Sequence, residues 1–185
     1  MTTRTRQLKV ERLTPEAFAP FGQVIAAQDR KPEFEGLSGT RLWGLDFEVD
    51  GRLQLGFLRV PYQRLAFKTM EQHFGVTQSF MPAGGPPAVL AVAAPTPRDV
   101  TPKPEDVRAF LLDGTRGFIL KRATWHSLDR FPIFPPHGDW VILTDWETTE
   151  DLLASADRLG ANLTRAVDFD KQYDVTFEFD LGQIS

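Results

Sequence analysis

Three histidines are present in this 185-residue chain, and two of them stand among residues that could do acid–base work. Lys68-Thr69-Met70-Glu71-Gln72-His73 is followed by Phe74-Gly75 and then Gln78-Ser79-Phe80. In a strand, residues two apart share a face, so Glu71 and His73 point the same way, and Gln78 returns beside them after the turn. A carboxylate, an imidazole and an amide converging in a barrel mouth could transfer protons or hold a divalent cation. The plainer alternative is a solvated Glu71 and a His73 that caps a strand end.

The second cluster is Lys121-Arg122-Ala123-Thr124-Trp125-His126. As a strand it puts Lys121 and Arg122 on opposite faces, so one cation looks inward. There it needs an anion such as a substrate carboxylate, for which Arg is the better bidentate partner. Two exposed charges on a barrel wall would read the same. His126 beside Trp125 is either a proton carrier against an aromatic wall or a packed core histidine. His137, in Pro135-Pro136-His137-Gly138, reads as a surface loop residue. Arg59 lies at the end of an apolar strand, with Glu71 or Asp145 as its expected partner, and Asp145 is a buried acid or a helix-preceding cap. The sequence carries no nucleophile elbow, phosphate-cradling loop or dinucleotide fingerprint. It has no cysteine, which excludes disulfides, thiolate metal sites and a cysteine nucleophile.

The elements that must position these residues are mostly strands. Residues 41–49 partly alternate, and Asp50-Gly51 signals a hairpin turn into a strand at 53–60. Further strands are expected at 68–73, 78–81, 88–94, 118–121, 140–144 and 174–181. In the last of these, Val175, Phe177 and Phe179 alternate with polar neighbours. Thr14-Pro15-Glu16 is a helix start, with Gly22 expected to close that helix. Two more helices are expected at 104–112 and 149–159, each stopped by a glycine. Many short aromatic-rich strands with turns between them specify an all-β barrel or sandwich with a few peripheral helices.

The bulk properties fit one soluble domain over 1–185. A chain this long buries a core without metal or disulfide staples. A net charge of −4 with no basic cluster argues against a nucleic-acid partner. The polar N-terminus lacks a secretory apolar region, and the longest apolar run, 88–95, is too short to span a bilayer. A cytoplasmic protein with no membrane partner is the expectation.

The order of the motifs resembles the ureidoglycolate lyase family. Leu13-Thr14-Pro15-Glu16-Ala17-Phe18-Ala19-Pro20-Phe21-Gly22-Gln23-Val24-Ile25 is similar to the family's opening, and Met70-Glu71-Gln72-His73-Phe74-Gly75-Val76-Thr77-Gln78-Ser79-Phe80-Met81-Pro82 to its middle block. Val107-Arg108-Ala109-Phe110, Trp125-His126 and Asp145 follow in the family's order. The resemblance implies a cupin-like double-stranded β-helix barrel, commonly a homodimer, that cleaves ureidoglycolate to glyoxylate and urea in purine breakdown (allantoin degradation). It implies His73 and His126 as proton carriers, with Glu71 orienting one of them. Lys121, Arg59 or Lys68 would hold the substrate carboxylate, Gln78 would bind a ureido or hydroxyl group, and Trp125 and Asp145 would complete the substrate site. No cofactor is required on this reading. A divalent metal on His73, Gln78 and His126 is the alternative, and with Glu71 it would make a metal-dependent isomerase or dioxygenase. A non-catalytic small-carboxylate binder is the third possibility. The chain departs from the family pattern at His126-Ser127 (often His-His), Leu120-Lys121-Arg122 (often Tyr-His-Arg) and Asp145-Trp146-Glu147-Thr148 (Asp-Arg-Gly-Gly). It also carries a longer C-terminal stretch, 149–185, read as an extension adding a helix and a strand.

Overall fold

The computed structural model describes residues 3–157 and 159–182. In chain order the elements are β1 (Arg4–Arg12), α1 (Pro15–Phe18), β2 (Gly22–Ile25), β3 (Phe34–Glu35), β4 (Arg41–Leu42), β5 (Leu53–Pro61), β6 (Ala66–Phe67), β7 (Thr69–His73), β8 (Gln78–Gly84) and β9 (Ala88–Ala93). They continue with β10 (Arg108–Leu112), β11 (Gly117–Leu120), β12 (Trp125–Ser127), β13 (Phe131–Pro132), β14 (His137–Asp145), α2 (Trp146–Ala154), β15 (Thr164–Asp168), α3 (Phe169–Tyr173) and β16 (Val175–Asp180).

The larger sheet runs β15-β7-β12-β9-β10-β1-β16-β6, with β13 also on β9, and the smaller runs β2-β11-β8-β14-β5. The all-β barrel expected from sequence is the fold. Two side-chain layers follow from the period of two along each strand. On β9, Val89, Ala91 and Ala93 join Met70, Trp125, Phe169 and Phe177 on one face. Ala88, Leu90 and Val92 point the other way, between the sheets, to Phe80, Phe118, Leu120 and Trp140. A strand buried on both faces should be apolar throughout, and Ala-Val-Leu-Ala-Val-Ala of β9 is buried at every position.

Several sequence expectations are corrected. The helix expected at 104–112 is a single 3-10 turn, Pro104–Asp106, followed by strand β10, whose residues pair with β9 from Arg108↔Val92 to Leu112↔Ala88. Local helix-start chemistry at Pro104 survives for one turn, and sheet pairing overrides the rest. The Asp50-Gly51 hairpin does not form. β5 pairs over its whole length with β14 instead, and of residues 41–49 only Arg41–Leu42 is a strand, with Val49 bridging Val76. Helix α1 is capped by Thr14, whose Oγ1 accepts from the Ala17 N–H at 3.2 Å, but Gly22 does not close it. Gly22 opens β2, where a β-carbon would lie 1.8 Å from the Ile119 carbonyl oxygen.

The C-terminal stretch adds two strands rather than one. β15 lies antiparallel on β7, and β16 lies parallel to β1, from Arg4↔Val175 to Lys9↔Asp180. Among the described residues no helix is long and apolar enough to cross a membrane.

Candidate active site

The site is built where β7 and β12 lie side by side. Glu71 and His126 are direct cross-strand partners, and His73 is two residues along β7 on the same inward face. All three are buried, at 8%, 1% and 4% exposure. Glu71 Oε1 lies 3.6 Å from His73 Nε2 and 3.9 Å from His126 Nδ1, and the two imidazole rings are 5.2 Å apart. The 71/73 spacing therefore does what strand geometry promised, and His126 is the partner it acquires.

Hydrogen bonds set the two rings in different states. His126 Nδ1 is 3.0 Å from the Ser127 carbonyl oxygen. A carbonyl can only accept, so Nδ1 carries the hydrogen and Nε2 keeps a lone pair. That Nε2 is buried and makes no hydrogen bond within the protein. Burial, partly opposed by Glu71 and reinforced by His73 and Arg130, pushes the His126 pKa down to about 3, so the ring is neutral at pH 7. His73 Nδ1 meets the Thr164 hydroxyl at 2.8 Å. A hydroxyl both donates and accepts, so His73 keeps this bond whether or not it carries a second proton. Burial pushes the Glu71 carboxyl up, but His73, His126 and Arg130 outweigh it and hold it below the usual carboxylate range. Glu71 is thus an anion between two imidazoles.

Around them, Gln78 Nε2 donates to Thr144 Oγ1 at 3.3 Å, while its Oε1 is buried without a partner. His73, Gln78, Thr124, His126 and Lys121 line a narrow crevice with no free space for a water molecule. Lys121 also lines a wider open hollow of about 360 Å3 with Gln23, Asp46, Glu48 and Arg122, so it stands between solvent and the histidines. Its ammonium donates to the Ala19 carbonyl at 2.6 Å. The turn carrying Lys121 is tied to the site, because the Ala123 N–H donates to the His73 carbonyl at 2.7 Å. Ala123 is left-handed there, at φ 59°, a conformation that costs a non-glycine residue roughly 1–2 kcal/mol.

The other expected site residues are placed elsewhere. Trp125 alternates with His126 and faces the opposite core, with Nε1 donating to Thr96 Oγ1 at 2.8 Å. Arg59 pairs with Asp139 through two bonds of 2.8 Å on the outer wall, not with Glu71 or Asp145. Lys68 stands 3.6 Å from both Asp168 and Asp170, just before β7 and five residues from His73, or roughly 16 Å at strand rise. Asp145 is fully buried and caps α2, its Oδ1 accepting the Thr148 N–H at 2.9 Å. Arg122 is bound to Asp50. His137 is half-buried, 3.7 Å from Asp139.

The departures from the family pattern look different once placed. Ser127 is one residue on from His126 and shares the face of Trp125, donating to the Asp129 carbonyl at 2.8 Å, so an imidazole there would point away from the crevice. Trp146 is 44% exposed and starts α2 on the surface. Only Lys121 touches the site.

Two residues with little in the sequence to mark them lie beside it. Thr164 lies in a stretch with no strand pattern. Arg130 is a lone cation before an apolar run, Phe131-Pro132-Ile133-Phe134, and that setting was its available signal. One carboxylate oxygen of Glu71 and one nitrogen each of His73 and His126 lie within 4.8 Å of one another, a donor set that suits a divalent transition metal.

The barrel holds an ionised carboxylate between two buried imidazoles, a set of groups able to exchange protons. The family model for ureidoglycolate lyase matches residues 5–156, and the chain belongs to that family. It is 31% identical to the ureidoglycolate lyase of Azotobacter vinelandii over 128 residues, 65% of this chain and 75% of the relative. The Burkholderia cepacia ureidoglycolate lyase is 35% identical over 127 residues, 64% and 70% of the two chains. The Stutzerimonas stutzeri ureidoglycolate lyase is 31% identical over 163 residues, 79% and 92%.

Proposed function

We propose that this protein cleaves ureidoglycolate to glyoxylate and urea by acid–base catalysis, with His126 as base and His73 as acid. The observation that carries the reading is the unlike pair of buried imidazoles sharing Glu71: one neutral with a free Nε2 lone pair, the other held by a two-way hydroxyl. The substrate is a hemiaminal. Its hydroxyl proton passes to His126 Nε2, the carbon–nitrogen bond breaks as the aldehyde carbonyl of glyoxylate forms, and the departing urea nitrogen takes a proton from His73. Each well-placed transfer contributes about 10²–10⁴-fold. Glu71 stabilises the imidazolium formed at His126, and Gln78 Oε1, unpaired and buried, accepts from a ureido N–H. Lys121 draws the anionic substrate toward the hollow.

Glu71, His73 and His126 would be the ligands of a divalent metal, which would supply Lewis-acid polarisation of the substrate oxygen. Family membership does not favour the isomerase or dioxygenase reading. The test is glyoxylate release from racemic ureidoglycolate, with and without a chelator. Release that survives chelation supports the metal-free route. Release lost on chelation and restored by added cation moves the three residues into a ligand role, and no release in either case removes the reading.

A cupin-like barrel acting in cytoplasmic purine breakdown fits this chemistry and the absence of cysteine. We also propose a homodimer. Leu53, Leu55 and Phe57 on edge strand β5 are 55%, 71% and 63% exposed, and Leu55 and Phe57 sit beside Leu143 and Val141 of β14. A two-fold axis would let this apolar row cover its own copy. Phe57→Asp should then halve the mass seen by light scattering, and an unchanged mass would exclude this face.

A further inference from the structure

Arg130 is 4% exposed, and its charge is countered through space by Glu71 and Asp129. Its guanidinium carbon lies 3.8 Å from the centroid of the Phe80 ring. Nη1 makes one long contact, 3.4 Å, to the Leu128 carbonyl. Nε is buried and makes no hydrogen bond, and among the described residues no hydrogen bond reaches Nη2 and no carboxylate lies within ion-pairing distance. The Nε–Nη2 edge is the side of a guanidinium that binds a carboxylate through two parallel bonds. Here that edge is unpaired, and the ring of Phe80 beneath fixes its plane.

The guanidinium also stands in the right place. Phe80 is two residues beyond Gln78 on β8, on the same inward face, and Glu71 and His126 are close enough for its charge to act on both. The other cations named above are committed or peripheral: Arg59 to Asp139, Arg122 to Asp50, Arg108 to Glu11, Lys68 to Asp168 and Asp170, and Lys121 to a carbonyl at the rim. A substrate carboxylate brought beside ionised Glu71 with no cation would place two like charges in a water-poor interior.

We infer that Arg130 is the seat of the substrate's carboxylate, making it the residue that selects a 2-hydroxy or 2-oxo acid over the uncharged analogue. This rests on the reaction proposed above for substrate identity, but the binding step can be tested without turnover. Lys121 is then an entry residue and not the anchor.

The experiment has two arms. By calorimetry, glyoxylate and urea are titrated into the wild type, Arg130→Met, Arg130→Lys and Lys121→Met. By kinetics, kcat/KM is compared for ureidoglycolate and for N-(hydroxymethyl)urea, the same hemiaminal without the carboxylate. Arg130→Met should lose about 100-fold in glyoxylate affinity and in kcat/KM for ureidoglycolate, as expected for a charge-assisted bidentate contact. The loss on N-(hydroxymethyl)urea should be at least about tenfold smaller, since that substrate makes no such contact and feels Arg130 only through its charge on Glu71 and His126. Arg130→Lys keeps the charge and the packing stem, so it serves if the Met variant does not fold, and it should lose about tenfold. Equal losses on both substrates, or glyoxylate affinity lost in Lys121→Met and kept in the Arg130 variants, would overturn the assignment. Wild-type protein that binds glyoxylate through Arg130 but releases none from ureidoglycolate would sink the proposed reaction and leave the carboxylate seat standing.

Discussion

His126 shows how much a single residue's neighbours decide. It has the most suppressed basicity in the site, because burial denies water to its imidazolium and Glu71 and the Ser127 carbonyl compensate only in part. The ring is therefore unprotonated and free to accept at pH 7, but burial also weakens it as a base, so the transfer depends on Glu71 to stabilise the imidazolium. Replacing it with Gln keeps a hydrogen-bonding side chain and removes the proton acceptor. His126→Gln should lower kcat about 10²–10⁴-fold with KM for ureidoglycolate nearly unchanged, and steady-state kinetics at saturating substrate reads the split. An equal rise in KM with kcat retained would make His126 a binding residue only. The carboxylate and both imidazoles were legible in the sequence, since spacing two in a strand forces Glu71 and His73 together. Of the cations, Lys121 was legible and Arg130 was not. Whether an arginine looks inward depends on which carboxylates a distant strand brings near it, so Arg59 and Lys68 read as well as Arg130 did not.

At the scale of elements, the piece that holds His73 in place comes from beyond the family match, which ends at residue 156. Asp151 on α2 accepts four backbone N–H groups, those of Ala161, Asn162, Leu163 and Thr164, at 2.7–3.1 Å. Burial raises its pKa and these four bonds outweigh it, so the carboxyl lies below its usual range. The loop they gather begins at Gly160, φ 78°, where a β-carbon would lie 2.3 Å from that of Thr164. Out of this loop comes β15, pairing Thr164 with His73. None of this has a pattern in sequence: one Asp, one Gly and a Thr at unremarkable spacing acquire meaning only when β15 adds to the free edge of β7. The misread helix at 104–112 has the same origin, because a segment with a good helix start became the strand that β9 and β1 needed. Thr164→Val removes the hydroxyl and keeps the shape. It leaves His73 Nδ1 without a partner, and kcat should fall about tenfold, as for loss of one hydrogen bond worth about 1 kcal/mol or slightly more. Thr164→Ser should restore most of it. Asp151→Ala should cost about 2–4 kcal/mol in unfolding free energy, since four charge-assisted bonds are lost and partly replaced by water. Denaturant titration measures that cost, and an unchanged midpoint would mean that the loop holds itself.

For the whole molecule, the same buried charges that serve the site couple its stability to pH. The folded His126 has a pKa of about 3, against an ordinary value near 6.5 in the unfolded chain. Above pH 6.5 both states carry it neutral and pH has no effect through this group. Below that, the unfolded chain takes up a proton that the folded chain refuses, so stability falls as pH drops from about 6.5 toward about 3. Within the window the slope is at most about 1.4 kcal/mol per pH unit. Glu71 acts in the same direction further down. Its folded carboxyl is held low, so its contribution is complete above the unfolded value and is lost as pH falls through the folded one. The two terms overlap below the ordinary Glu value of about 4.3, and a domain stabilised by about 5–15 kcal/mol cannot carry that loss far. Melting temperature should thus be flat from pH 8 to 6.5 and decline steadily below. His126→Asn, which cannot titrate, should melt lower at pH 7.5 but hold a nearly flat profile down to about pH 5. Parallel profiles for the two proteins would mean that the acid sensitivity resides in other groups. Convergence of the two curves near pH 5 would tie the cost of keeping an uncharged imidazole in the barrel directly to the lone pair that the proposed chemistry requires.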